Sequence, residues 1–235
     1  MLHYPYALYL RHIQHSQLFK NLENDPLPID LSDGNSLLGK VDVRDQKEFQ
    51  FLLDKKMTPN YSWGLGGYLE RRETLLQSFP QMVQEKRFYH LGIDILVPVN
   101  TLLHAPLDAV VRMSDYEEGG GNYGGYMLLE HFNPAFETFY SLYGHLNPDA
   151  MSPVATLLKS GDPFARVGDF HRTEIGIIIL IYRLLPNKVW KLGFFTKYTV
   201  RGKTWRRSSI CVRIHYRFLK SNLRSVPFMW SRVWS

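Results

Sequence analysis

The first residues with chemistry to offer are His90 and Asp94, in the run His90-Leu91-Gly92-Ile93-Asp94. An imidazole and a carboxylate four residues apart, at a turn entering a β-prone stretch, can both reach one divalent cation, and that donor pair suits zinc. A second candidate is His145, which ends the aromatic run Phe139-Tyr140-Ser141-Leu142-Tyr143-Gly144-His145-Leu146. Gly144 permits another group to approach closely there. A histidine so placed is either a hydrogen-bonded strand-end residue or, in a metallohydrolase, a group that stabilises an oxyanion or moves a proton to or from a metal-bound water. His131 follows Glu130 at the end of another β-prone run and reads as structural. Cys211 is the single cysteine, so a disulfide framework and a multi-thiolate metal site are excluded. Any metal must be held by His, Asp or Glu.

The elements that must position these residues change character along the chain. Residues 44–56 carry apolar side chains at helical intervals and are ended by Pro59. Residues 68–88 (YLERRETLLQSFPQMVQEKRF) read as a second helical region, bent or broken at Pro80. Residues 1–84 are therefore expected to form a small helical extension packed on the main domain. From His90 onward, short β-prone runs (Ile93–Val97, Ala109–Met113, Tyr126–His131, Phe136–Tyr143) alternate with Pro98, Pro106 and a glycine-rich stretch, 119–125. This pattern predicts a mainly β, antiparallel domain. The glycines are followed by a strand pattern and lack a Lys-Ser/Thr pair, so they predict a hairpin at a sheet rim rather than a phosphate loop. The run Ile175–Tyr182 also reads as a strand.

The chain has 235 residues, 45% of them apolar, with five Trp, which places it among folded rather than disordered chains. Its net charge of +6 hides an asymmetry. Residues 1–170 carry 14 Lys+Arg against 21 Asp+Glu, whereas residues 171–235 carry 14 against the single Glu174. The basic tail, with Trp190, Phe194, Phe195, Tyr198 and Trp205 interleaved, has the composition of a nucleic-acid or anionic-lipid surface. The N-terminus has no basic segment followed by a long apolar stretch, and no window reaches the ~18 apolar residues of a membrane span. No signal peptide is evident, which leaves the location open: cytoplasmic by default, and the cell envelope if the start site is wrong.

Four segments, in order, resemble the M23 (lysostaphin-type, LytM-like) peptidase family. YHLGIDILVPVNTLLHAPLDAVV (89–111) resembles the stretch from its His-x-x-x-Asp ligand pair into a Pro-bearing turn and an Ala-rich strand. GGGNYGGYMLLEH (119–131) resembles its glycine hairpin, FYSLYGHL (139–146) its Tyr-x-His-Leu element, and SGDPFARVGDF (160–170) the turn before its last ligand strand. The resemblance implies an antiparallel β-sheet peptidase core over 85–170, behind the 1–84 helical extension and ahead of an atypical tail, 171–235. It implies that His90 and Asp94 are zinc ligands and His145 is catalytic. The implied chemistry is attack of zinc-activated water on a peptide bond, commonly in peptidoglycan cross-links, with a peptide substrate and no nucleic-acid partner.

The family closes its site with His-x-His on a final strand, and nothing after residue 145 spells this. His171 and His215 are the only later histidines, and neither has a partner two residues away. With two protein ligands in place of three, zinc affinity is expected to be weak or absent, and the chain is expected to be inactive or impaired as written. A non-enzymatic peptidoglycan- or protein-binding relative of the same fold is the alternative. An offset of one base from the Phe170/His171 boundary allows Ser-Pro-Asn-Arg-Asn-Trp-Asn-His-His-Leu, because ATC-ATC-ATC at Ile177–Ile179 contains CAT. On this reading the residues from about 171 are out of frame, the basic surface has no designed function, and the sheet is expected to lack its last core strands.

Overall fold

The computed structural model describes residues 14–34, 45–57, 60–68, 70–119, 122–169 and 179–186. In chain order these form β1 (Leu27–Ile29), α1 (Gln46–Met57), β2 (Gly64–Gly66), α2 (Glu73–Leu76), α3 (Pro80–Gln84), β3 (Ile93–Leu96), β4 (Leu102–His104), β5 (Ala109–Glu117), β6 (Gly124–Asn133), β7 (Phe136–Leu146), β8 (Leu157–Leu158), β9 (Pro163–Arg166) and β10 (Ile179–Pro186). The expected mainly β architecture is what the chain adopts. One eight-stranded sheet has the order β1-β2-β3-β10-β7-β6-β5-β8, antiparallel throughout except for the parallel pair β1–β2, and β4 and β9 form a separate two-stranded ribbon.

Alternation along the strands divides the sheet into two faces. One face carries Ile93, Ile95, Met127, Leu129, Phe139 and Tyr143 into the main core, where the β4–β9 ribbon adds Leu103, Phe164 and Ala165. The other side of β3 carries Asp94 and Leu96, and Leu96 packs with Ile29, Leu31, Phe49, Leu53 and Leu75 under α1. On the same side of β6 and β7, Tyr126, Leu128, Tyr140 and Leu142 form a third cluster. The β5–β6 hairpin forms at the glycine-rich stretch as expected; Gly119 adopts φ +113°, and Asn122 N–H donates to its carbonyl.

The described part of residues 1–84 is helical in part and packs into the same sheet and core. Asp45 caps α1 by accepting from Lys47 N and Glu48 N (3.1 and 3.0 Å), and Phe49 and Leu53, four apart, bury one face of the helix. Leu18, Phe19 and Trp63 are buried in the main core, and β1 and β2 extend the main sheet. The expected helix over 68–88 is reduced to the short α2 and α3, with Pro80 opening α3 at a position where a missing N–H costs nothing. Residues 70–72 are extended instead: His90 N donates to Glu70 O, Arg72 N donates to Phe88 O, and Arg71 bridges Tyr89.

The expectation of a sheet missing its last strand is corrected. β10 lies between β3 and β7, with Asp94 opposite Ile181 and Tyr143 opposite Tyr182. Backbone ladders form without reference to side-chain chemistry, and Ile179-Leu180-Ile181-Tyr182 is strongly β-prone. The remainder of the basic tail, with His171, Cys211 and His215, lies outside the described residues. Among the described residues no helix is long and apolar enough to cross a membrane.

Candidate metal centre

Three chain segments converge on Asp94. It sits in the middle of β3, buried on the face opposite the main core. Gly66, on neighbouring β2, leaves room for it: a Cβ there would lie 2.9 Å from Asp94 Cβ and 3.1 Å from Oδ2. His90 precedes the strand at the turn, so its ring folds back to bring Nε2 to 3.4 Å from Asp94 Oδ1. His90 Nδ1 donates to the Gly67 carbonyl at 3.4 Å, which leaves the lone pair on Nε2. That Nε2 is buried with no hydrogen-bond partner among the described residues.

An unprotonated nitrogen facing a carboxylate oxygen is a pair of acceptors without a donor between them. Two ligand atoms bound about 2.0–2.1 Å from one tetrahedral zinc are about 3.3–3.4 Å apart. The observed 3.4 Å matches that spacing, so His90 and Asp94 fit as two of the ligands of a divalent ion. Burial, reinforced by the Arg72 guanidinium, lowers the His90 pKa to about 4, so the ring is neutral at pH 7. Burial alone would raise the Asp94 carboxyl, but Arg72 and His90 outweigh it and hold the pKa below the ordinary carboxylate value. Both groups are thus in their ligating forms near neutrality.

His145 reaches the same site through an unusual backbone. Tyr143 and Leu146 both enter the main core although three residues apart, which strict alternation forbids. His145 takes up the extra residue with φ +59°, a left-handed conformation rare for a non-glycine. Its N–H donates to Tyr123 O (2.8 Å), and Gly168 N donates to its carbonyl (3.0 Å), so both backbone groups are pinned. The ring lies within electrostatic reach of Asp94 and His90; burial lowers its pKa to about 4, and its Nδ1 is buried without a partner. Backbone strain of this kind persists where surrounding structure over-determines it, and it concentrates at functional sites. Of the three sequence-predicted residues, His90 and Asp94 are thus in direct contact, and His145 lies within electrostatic reach of both.

A third protein ligand is not among them. The described residues contain no group of three or more His, Cys, Asp or Glu placed to hold a metal. His131 belongs elsewhere: Nε2 lies 2.7 Å from Ser141 Oγ, Nδ1 donates to Asp108 O at 3.3 Å, and the ring stacks on Phe139. It is a satisfied core histidine.

Two site residues escaped the sequence reading. Arg72 is buried and ion-paired to Asp94 Oδ2, and its Nε and Nη2 also donate to Glu70 Oε2 (2.9 and 2.6 Å). Glu70 and Arg72 are two apart, so they share a face only because residues 70–72 are extended; in the helix expected there they would diverge. The sequence signal available was the separation of Glu70 and Arg72 by one residue, ahead of the His-x-x-x-Asp run.

No known family model and no curated protein matches the sequence. Among solved structures, the chain is similar to a zinc-containing peptidase from Vibrio cholerae, with 23% identity and TM-score 0.34 over 42% of this chain and 27% of that one. It is similar to the catalytic domain of the antimicrobial peptidase lysostaphin from Staphylococcus simulans, with 17% identity and TM-score 0.35 over 41% of this chain and 67% of that one. A third is Csd3 from Helicobacter pylori, with 19% identity and TM-score 0.29 over 55% of this chain and 32% of that one. The chain thus spans about a quarter of the first of these proteins and a third of the last. Two of the three are peptidases by description.

Proposed function

We propose that this chain is a zinc-binding relative of the M23 metallopeptidases, with peptide cross-links of peptidoglycan as its substrate class and hydrolysis impaired in the chain as written. The observation that carries the reading is the His90 Nε2–Asp94 Oδ1 spacing of 3.4 Å between two buried acceptors. A zinc ion there would supply carbonyl polarisation and a bound water of lowered pKa. The chain's own residues would hold the ion through His90 and Asp94, and neutral His145 would take up a proton from the reacting water or stabilise the oxyanion. With two protein ligands the ion is held weakly, and turnover is correspondingly low.

The test is zinc titration of the full chain with and without His90→Ala and Asp94→Asn, alongside release of amines from cross-linked peptidoglycan. Weak zinc binding lost in both variants, with little or no amine release, is expected. Zinc binding unchanged by either substitution would remove His90 and Asp94 from the ligand set. Sequencing the coding DNA across codons 160–185 addresses the tail. A base gained or lost there makes an active peptidase the expected product of the corrected frame, and an unchanged frame leaves the two-ligand protein.

A second reading is favoured by one observation: no His-x-His occurs after residue 145. In that reading the chain binds peptidoglycan or a protein through the same groove without catalysis. Binding to peptidoglycan that persists in excess chelator, with no released amine, distinguishes it.

A further inference from the structure

Glu70, Arg72, Asp94, His90 and Gly67 form a closed ring of contacts. Gly67 N–H donates to Glu70 Oε1 (2.9 Å), Arg72 links Glu70 Oε2 to Asp94 Oδ2, Asp94 Oδ1 faces His90 Nε2 (3.4 Å), and His90 Nδ1 donates back to Gly67 O (3.4 Å). Gly67 is needed for closure, since a Cβ there would overlap the Glu70 carboxylate. Every carboxylate oxygen in the ring but Asp94 Oδ1 accepts from a donor within it, and Asp94 Oδ1 and His90 Nε2 are acceptors that face one another.

From this we propose that Arg72, braced by Glu70, is a positioning residue: it fixes the Asp94 carboxylate so that Oδ1 alone is presented, with His90 Nε2, to a divalent cation. The proposal rests on the zinc-site reading above and names the residues that orient its ligands. The guanidinium is suited to the task because its planar fork reaches two carboxylates at once, which a lysine ammonium does not do in fixed geometry. Both partners are almost fully buried, with side-chain exposures of 7% for Arg72 and 10% for Glu70, so the geometry is not blurred by solvent. Formal charges of Glu70, Arg72 and Asp94 sum to −1, so the clamp orients Asp94 without cancelling the site's attraction for a cation. Outer-shell partners of this kind set metal affinity by about 10–100-fold.

The clamp comes from residues 70–72, ahead of the peptidase-like segment. Gly67, Glu70 and Arg72, which precede that segment, are in this proposal part of the metal site.

The experiment measures zinc affinity of the full chain by competition with a chromophoric chelator, and the visible absorption of the Co2+-loaded chain. Variants are Glu70→Gln/Arg72→Met, which keeps the formal charge of the triad at −1, Arg72→Lys, and His90→Ala as the ligand control. Circular dichroism checks that each variant is folded. The double variant is expected to bind zinc about tenfold or more weakly with an altered Co2+ spectrum, and Arg72→Lys to lie between it and the parent. If the parent binds zinc, His90→Ala does not, and either the double variant or Arg72→Lys matches the parent in affinity and spectrum, the clamp is overturned while the site reading stands. If the parent and His90→Ala are alike in binding no zinc, both are overturned. Should the double variant fail to fold, Arg72→Lys decides alone.

Discussion

Three imidazoles, His90, His131 and His145, are held neutral, each with a pKa lowered to about 4 from an ordinary 6.5; His131 and His145 are buried, and His90 is half-buried with its Nε2 enclosed. In the unfolded chain each would titrate near 6.5, so between pH 6.5 and 4 the unfolded state binds more protons than the native one. Their contribution to stability is therefore complete above pH 6.5 and is lost progressively toward pH 4. Asp94, with its depressed pKa, adds a loss in the same direction at still lower pH. Thermal unfolding in the presence of chelator should show a midpoint markedly lower at pH 4.5 than at pH 7; a flat profile would contradict neutral burial. The two inner-strand histidines should also differ in their tolerance of change. His131→Asn loses the Ser141 contact and the Phe139 stack and should cost about 2–3 kcal/mol. His145→Asn, at a left-handed position that asparagine tolerates, should cost within about 1 kcal/mol. Chemical denaturation of the two variants measures this, and equal costs would mean that His145 is a packing residue like His131.

At the scale of elements, the segments flanking β6 and β9 hold β7 where its backbone turns at His145. Gly125 pairs with Leu146 in the ladder, and a Cβ on it would fall inside 3.0 Å of the Leu146 carbonyl, a backbone atom that no rotamer change can move. Gly125→Ala should therefore destabilise by about 1–3 kcal/mol. Gly34→Ala, with open space at that position, should have little effect. If the two substitutions unfold at the same denaturant concentration, β6 and β7 do not approach as closely as described.

For the whole molecule, the sheet and its main core cross the boundary at residue 84. Leu18, Phe19 and Trp63 fill the core behind β3, and β2 covers the edge that β3 would otherwise expose. Deleting residues 1–84 should leave an unpaired β3 edge, an open core and no Arg72, and the product should aggregate. A soluble, cooperatively unfolding 85–235 chain would show that the extension is dispensable. Trp63→Ala is the smaller form of the same test, with an expected loss of about 3–5 kcal/mol by thermal or denaturant unfolding.

The sequence alone was sufficient for the mainly β texture from residue 90 onward, because strand periodicity and Gly/Pro punctuation are local properties. It also offered His90, Asp94 and His145 as candidates, through the resemblance of their segments to the M23 peptidases rather than through spacing alone. The extended path of residues 70–72 was not legible, since YLERRETLL has the local pattern of a helix, and pairing with residues 88–90 overrides that propensity. Nor was the left-handed turn at His145, which is imposed by Tyr123 and Gly168, residues distant in sequence from it or from each other. Tertiary structure alone decided that Arg72 clamps Asp94 and that β10 lies between β3 and β7, because both are contacts between segments far apart in the chain. Such contacts form only when the whole sheet is assembled, and no window of local sequence encodes them.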